Sequence, residues 1–146
     1  AGIWYPFVGI IQKNVPDLVE LAKNKDFYPK NTFPSAFIVR NELVDSNPDL
    51  VKKMIGAIKE AADFRAANQD KAIEITSKRL GIPADKLKTE AGYGNFMTSA
   101  EGIKQTKEGN VDNWRKTMNE LFKTFGKFDT SLDPKDYYLG DMYVEA

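Results

Sequence analysis

Residues 35–68 read SAFIVRNELVDSNPDLVKKMIGAIKEAADFRAAN, and this stretch decides what the chain can fold into. Its first part sets Ala36, Phe37, Ile38 and Val39 between a proline and an arginine, the pattern of a strand covered on both faces. The period then changes. Asn47 is a good N-cap, Pro48 fits the first helical position, and Asp49 suits the positive end of the helix dipole. Val51, Met54, Ile55, Ile58 and Ala62 fall at i, i+3, i+4, i+7 and i+11, which makes one apolar stripe on a helix.

Working outward, FVGIIQKN after Pro6 predicts a short helix that ends near Asn14. DLVELA (17–22) reads as a short strand, with a helical reading also open, and KNKDFYPKNTFP (23–34) is a loop rich in aromatics and prolines. Downstream, QDKAIEITSKRLG is a second helix with Gly81 placed to cap its end, and Ile82, Pro83 and Asp85 restart a short one through Leu87. SAEGIKQTKEG has a plausible cap at Ser99 but is polar nearly all round, so a weak, exposed helix is expected there. NVDNWRKTMNELFKTFG places Val111, Trp114, Met118, Leu121, Phe122 and Phe125 on one face before Gly126. Both long stripes are expected to be core. The tail predicts a proline-initiated turn and a short apolar stretch over 139–144.

Composition narrows the function. Lys and Arg total 21 and so do Asp and Glu, which leaves no basic footprint for nucleic acid. Cys is absent, so disulfide and thiol chemistry are excluded; His is absent too, which removes the usual metal ligand and the commonest general base. No apolar run is long enough to span a bilayer. Wide helical stripes with so few strands predict part of an α/β layer fold whose other strands lie outside the chain, unless helix packs on helix to hide the same faces.

The pieces TFPSAFIVR, NELVDS, NPDLVKKMIGAIKEAADF and KAIEITSKRLGIP, in this order and spacing, resemble the periplasmic solute-binding proteins of bacterial ABC importers. The nearest branch serves sulfonates, taurine, nitrate and thiamine-pyrimidine precursors. IWYPFVGII is similar to that family's Trp-x-Pro entry into a cleft-lining helix, and YYLGDMYVEA to its closing segment. The resemblance implies the C-terminal half of a two-lobe type II periplasmic-binding-protein fold, α/β, helix-rich with few strands. Residues 1–40 would then end the second lobe and supply a crossing strand. Residues 41–146 would be a helical part packing on the first lobe. An aromatic, apolar beginning such as AGIWYPFV also reads like a fold entered partway through.

Ligand capture between lobes, followed by delivery to a membrane permease, is the implied function, with no cofactor and no catalytic residue. The expected ligand-binding residues are Trp4, Tyr5, Phe27, Tyr28, Phe33 and Ser35. The aromatics offer flat apolar bodies, Trp and Tyr with a polar tip, and Ser35, like Thr32, can donate to an oxyanion. Trp4 would serve equally as core, and Thr32 as a turn cap. Tyr5 stands where the family often has an acidic residue, which favours a neutral or anionic ligand such as a sulfonate, or a pyrimidine-type compound. The implied partners are that small molecule, the permease, and a missing N-terminal half or a second copy. The implied location is the periplasm or a lipid anchor outside the cell. Two other readings stand beside this one: a helical interaction module, and a thiamine-pyrimidine-synthase-like enzyme, which the absence of His weakens.

Overall fold

The computed structural model describes residues 7–146 except Tyr93 and Asn95. Helices α1 (Phe7–Asn14), α2 (Asn41–Ser46), α3 (Pro48–Ala67), α4 (Gln69–Leu80), α5 (Ala84–Ala91), α6 (Ser99–Lys107), α7 (Asn110–Thr124) and α8 (Gly140–Glu145) follow in order. Short 3-10 turns at Asn24–Phe27 and Pro134–Asp136 interrupt the connections. Helix-rich architecture is therefore as expected, and no strand occurs among the described residues.

Local chemistry sets most of the helix ends. The Asn47 side chain accepts from the Leu50 N–H at 3.1 Å, with Pro48 in the first turn of α3. Gly81 closes α4 with φ 68°, a left-handed conformation that costs a residue with a Cβ. One cap is displaced from its expected place. Thr98, not Ser99, caps α6 by accepting from the Glu101 N–H at 3.2 Å. Ser99 instead donates through its N–H (2.6 Å) and its hydroxyl (2.5 Å) to the Asp63 carboxylate on α3. These bonds hold the Asp63 carboxyl below its ordinary range.

Helix α6, expected to be weak and exposed, lies at the centre, against α3, α7 and α8. Its polar sequence is compatible with that place for two reasons. Gly102 is buried and has no side chain, and a Cβ there would run into the hydroxyl of Tyr143 on α8. Gln105 is only 3% exposed, yet its amide donates to Glu101 Oε1 (2.7 Å) and accepts from Asn110 Nδ2 (2.6 Å).

Among the described residues the buried apolar core around α6 is small: Val51, Val111 and Trp114, with Pro134 in the segment before α8. Both helical stripes run out of it. On α3 Met54 is 46% exposed, while Ile55, Ile58 and Ala62 are half-buried; on α7 Leu121 is 54% exposed and Phe125, just past its end, 68%. The α7 stripe is thus core at one end and open at the other. The two expected strands, 17–22 and 35–40, are irregular, with Leu21 and Ile38 almost fully exposed. A strand needs a neighbour to pair its backbone, and the described residues provide none. The total exposed area is 11187 Å². A closed monomer of this mass would expose about 7,500 Å².

Gly102→Ala is expected to destabilise the chain by about 1–3 kcal/mol, the usual penalty of overpacking. The loss should shrink in a Tyr143→Phe background, where the obstructing hydroxyl is gone. Urea unfolding of the four members of the cycle checks this, and equal losses in both backgrounds would place the clash elsewhere.

Candidate functional site

The aromatic loop at 23–34 is ordered first by its own backbone. The Lys23 N–H donates to Asp26 Oδ2 at 2.8 Å, and the Asn31 N–H to the Phe27 carbonyl at 2.9 Å. Asn24 Nδ2 reaches across to Thr32 Oγ1 at 3.4 Å, so Thr32 serves to close the loop. The peptide between Tyr28 and Pro29 is cis.

The loop then docks on α6 and α7 through consecutive residues. The Tyr28 hydroxyl donates to Glu101 Oε1 at 2.6 Å. Trp114 Nε1 donates to the Pro29 carbonyl at 2.6 Å, and Asn113 Nδ2 reaches the Lys30 carbonyl at 3.5 Å. The Tyr28 and Trp114 rings meet at a centroid distance of 5.9 Å, tilted by 44°. Behind them Gln105 and Asn110 extend the polar chain, Asn110 also donating to Glu108 Oε2 at 3.2 Å. Burial, helped by the bond to Glu101, pushes the Tyr28 phenol up to about 12. The donated bond from Tyr28, and after it that from Gln105, holds Glu101 below the ordinary carboxylate range. A neutral phenol therefore faces an ionised carboxylate, the charge-assisted arrangement that makes a short, strong bond.

The expected site residues divide accordingly. Trp4 and Tyr5 lie outside the described residues. Tyr28 is half-buried, its hydroxyl engaged with Glu101, while Phe27 (53%) and Phe33 (68%) face solvent on either side of it and Ser35 is exposed beyond. The result is a fixed base that displays apolar side chains outward, a surface suited to holding a flat or apolar body. Sequence reasoning missed Glu101, Gln105 and Asn110. The spacing of Glu101 and Gln105 does place them on one helical face, and their i, i+4 pairing was legible. That Tyr28 would complete the set was not, because it is distant along the chain.

Other features offer less. The guanidinium of Arg115 stacks on Tyr138 at 4.2 Å, and Phe96 lies under Arg65 at 4.4 Å, both cation–π packing. A cavity of about 310 Å³ between α4 and α5 is lined mostly by charged groups, among them the Asp70 and Lys88 ion pair at 3.0 Å. Among the described residues no group of three or more acidic side chains is placed to hold a metal ion, and no helix is long and apolar enough to cross a membrane.

No family model matches the chain, and no solved structure matches it. It is 52% identical over 144 residues to proteins of Brucella abortus (strain 2308) and Brucella suis biovar 1 (strain 1330) that bear the name "Putative binding protein". The match takes in 99% of this chain and 45% of each relative, so the chain spans about half the length of the curated relatives it matches.

The Tyr28 and Glu101 bond makes a signed prediction. A carboxylate whose folded pKa is lowered stabilises the fold above its ordinary value of 4.5 and loses that contribution as pH falls through the folded value. Tyr28→Phe removes the first cause of the lowering. It should reduce stability near pH 7, with the gap from the unaltered protein narrowing toward about pH 3. Urea unfolding at both pH values checks this. A gap that stays constant would show that the hydroxyl does not act through Glu101.

Proposed function

We propose that this chain belongs to a ligand-binding protein, and specifically to the solute-binding component of an ABC importer. The observation that carries the reading is its 52% identity to the Brucella relatives that bear the name "Putative binding protein". The ordered sequence pieces that resemble the sulfonate, taurine, nitrate and thiamine-precursor branch support the finer assignment. Binding requires no covalent step. Hinge closure would convert the difference in ligand affinity between open and closed forms into a population shift that a permease could read.

Within this proposal residues 1–40 end one lobe and 41–146 pack on the other. The open end of the α7 stripe, with Leu121 and Phe125 more than half exposed, and the exposed Phe37 and Ile38 favour a chain covered by a further body. They speak against a helical interaction module that folds by itself, because such a bundle would close its own stripes. A periplasmic or lipid-anchored location outside the cell, and a small organic anion or pyrimidine as ligand, complete the proposal. Phe27, Phe33 and Ser35, with Trp4, Tyr5 and Tyr28, are the residues assigned to the ligand cleft.

Thermal-shift titration of the intact protein with taurine, an alkanesulfonate, nitrate and an aminopyrimidine tests the reading. One of these classes should raise the melting temperature saturably. Phe27→Ala and Phe33→Ala should each weaken that binding by about tenfold, roughly 1.4 kcal/mol. Because both side chains are already solvent-facing, the ligand-free stability should change by less than about 0.5 kcal/mol. Absence of any shift, or unaltered binding by both variants, would sink the proposal.

A further inference from the structure

We infer that Glu101 and Trp114 are positioning residues for ligand capture: they hold the 23–34 loop at the place where Phe27 and Phe33 meet a sulfonate-bearing ligand. The inference rests on the binding reading above and adds to it a pair of residues that the ligand need not touch. Among the described residues, α6 and α7 bond the loop by side chains at residues 28–30: Tyr28 to Glu101, Pro29 to Trp114 and Lys30 to Asn113. Phe27 and Phe33 flank those points, so a shift of the docked residues moves both aromatics together.

Both groups bond directly to the loop, Trp114 from a buried position and Glu101 from a half-buried one. Trp114 is 3% exposed and gives its only N–H of the side chain to the Pro29 carbonyl. The Glu101 carboxylate accepts from both Tyr28 and Gln105 through the same oxygen, Oε1. The loop in turn brings little apolar surface to the core, since Phe27 and Phe33 remain exposed. A charge-assisted bond and a buried indole bond are thus committed to this segment. Their effect is to order the loop before the ligand arrives, which reduces the ordering cost of binding.

The test uses the intact protein with Glu101→Leu, Glu101→Gln and Trp114→Phe, and reads two quantities. The first is the rate of tryptic cleavage after Lys25 and Lys30, with cleavage after Lys78 and Arg79 on α4 as an internal reference for global unfolding. The second is affinity for taurine. Glu101→Leu should speed loop cleavage about tenfold over the reference, the equivalent of one lost charge-assisted hydrogen bond, and Trp114→Phe, which loses a neutral bond, by about fivefold. Glu101→Gln keeps an acceptor for the Tyr28 hydroxyl and should restore slow cleavage. Taurine affinity should fall and recover in the same order. Loop and reference sites that accelerate together would overturn the inference, since the role would then be general stability. So would a released loop with unchanged taurine affinity, or a Glu101→Gln variant no better than Glu101→Leu. If the unaltered protein fails to bind taurine, the positioning role falls with the sulfonate reading, while the cleavage rates still show separately whether the loop is latched.

Discussion

The absence of a side chain at Gly102 governs how this chain packs. It lets the Tyr143 ring of α8 lie directly on α6, and that contact brings the C-terminal segment over the same helix that α3 and α7 flank. Further bonds then fix the tail in place. The Tyr138 and Thr106 hydroxyls meet at 2.9 Å, Lys59 Nζ donates to the Tyr143 carbonyl at 3.1 Å, and Asn119 Nδ2 donates to the Leu132 carbonyl at 2.8 Å. None is strong by itself, since a typical hydrogen bond contributes about 0.5–1.5 kcal/mol net.

A helix with so polar a sequence can occupy the centre because its polar groups are matched rather than removed. Gln105 sits between Glu101 and Asn110, and the same Glu101 oxygen faces the aromatic loop. Leaving any one of these groups unpaired would cost more than the bond contributes, which ties the loop to the core network. Exposed ion pairs count for much less. Glu74, between Lys71 at 2.8 Å and Lys78 at 2.7 Å, is held down to about 2, but it lies on an open helix face where solvent and salt screen the attraction. The fold therefore depends on the matched interior network and not on its surface charge.

What the interior does not cover bears on function. The apolar core closes around Trp114 and Val111, yet the far turn of the same helix and the 35–40 segment keep large apolar side chains in water. A surface of this kind favours association with another body. Ligand-binding proteins of the proposed class place their site between two bodies, and the latched aromatic loop lies on the same chain as these open faces. Stability and proposed recognition thus share residues: Glu101 and Trp114 belong to the packed network and to the support of the loop.

By itself the sequence determined most of the helices and several of their ends. Asn47 with Pro48, Gly81 and Gly126 act through their own backbone and nearest neighbours, so their effects survive any tertiary arrangement. It also marked the aromatic loop, because prolines and asparagines break regular structure locally. Tertiary structure alone decided the rest. Whether 17–22 and 35–40 become strands depends on a partner edge that no local pattern supplies, and α6 became central through a contact between Gly102 and a residue on another helix. The stripes on α3 and α7 showed which faces seek cover, but burial is a property of pairs of surfaces. Only the packing could show that the α7 stripe finds a partner at one end and stays open at the other, and that on α3 Val51 is buried while Met54 is not.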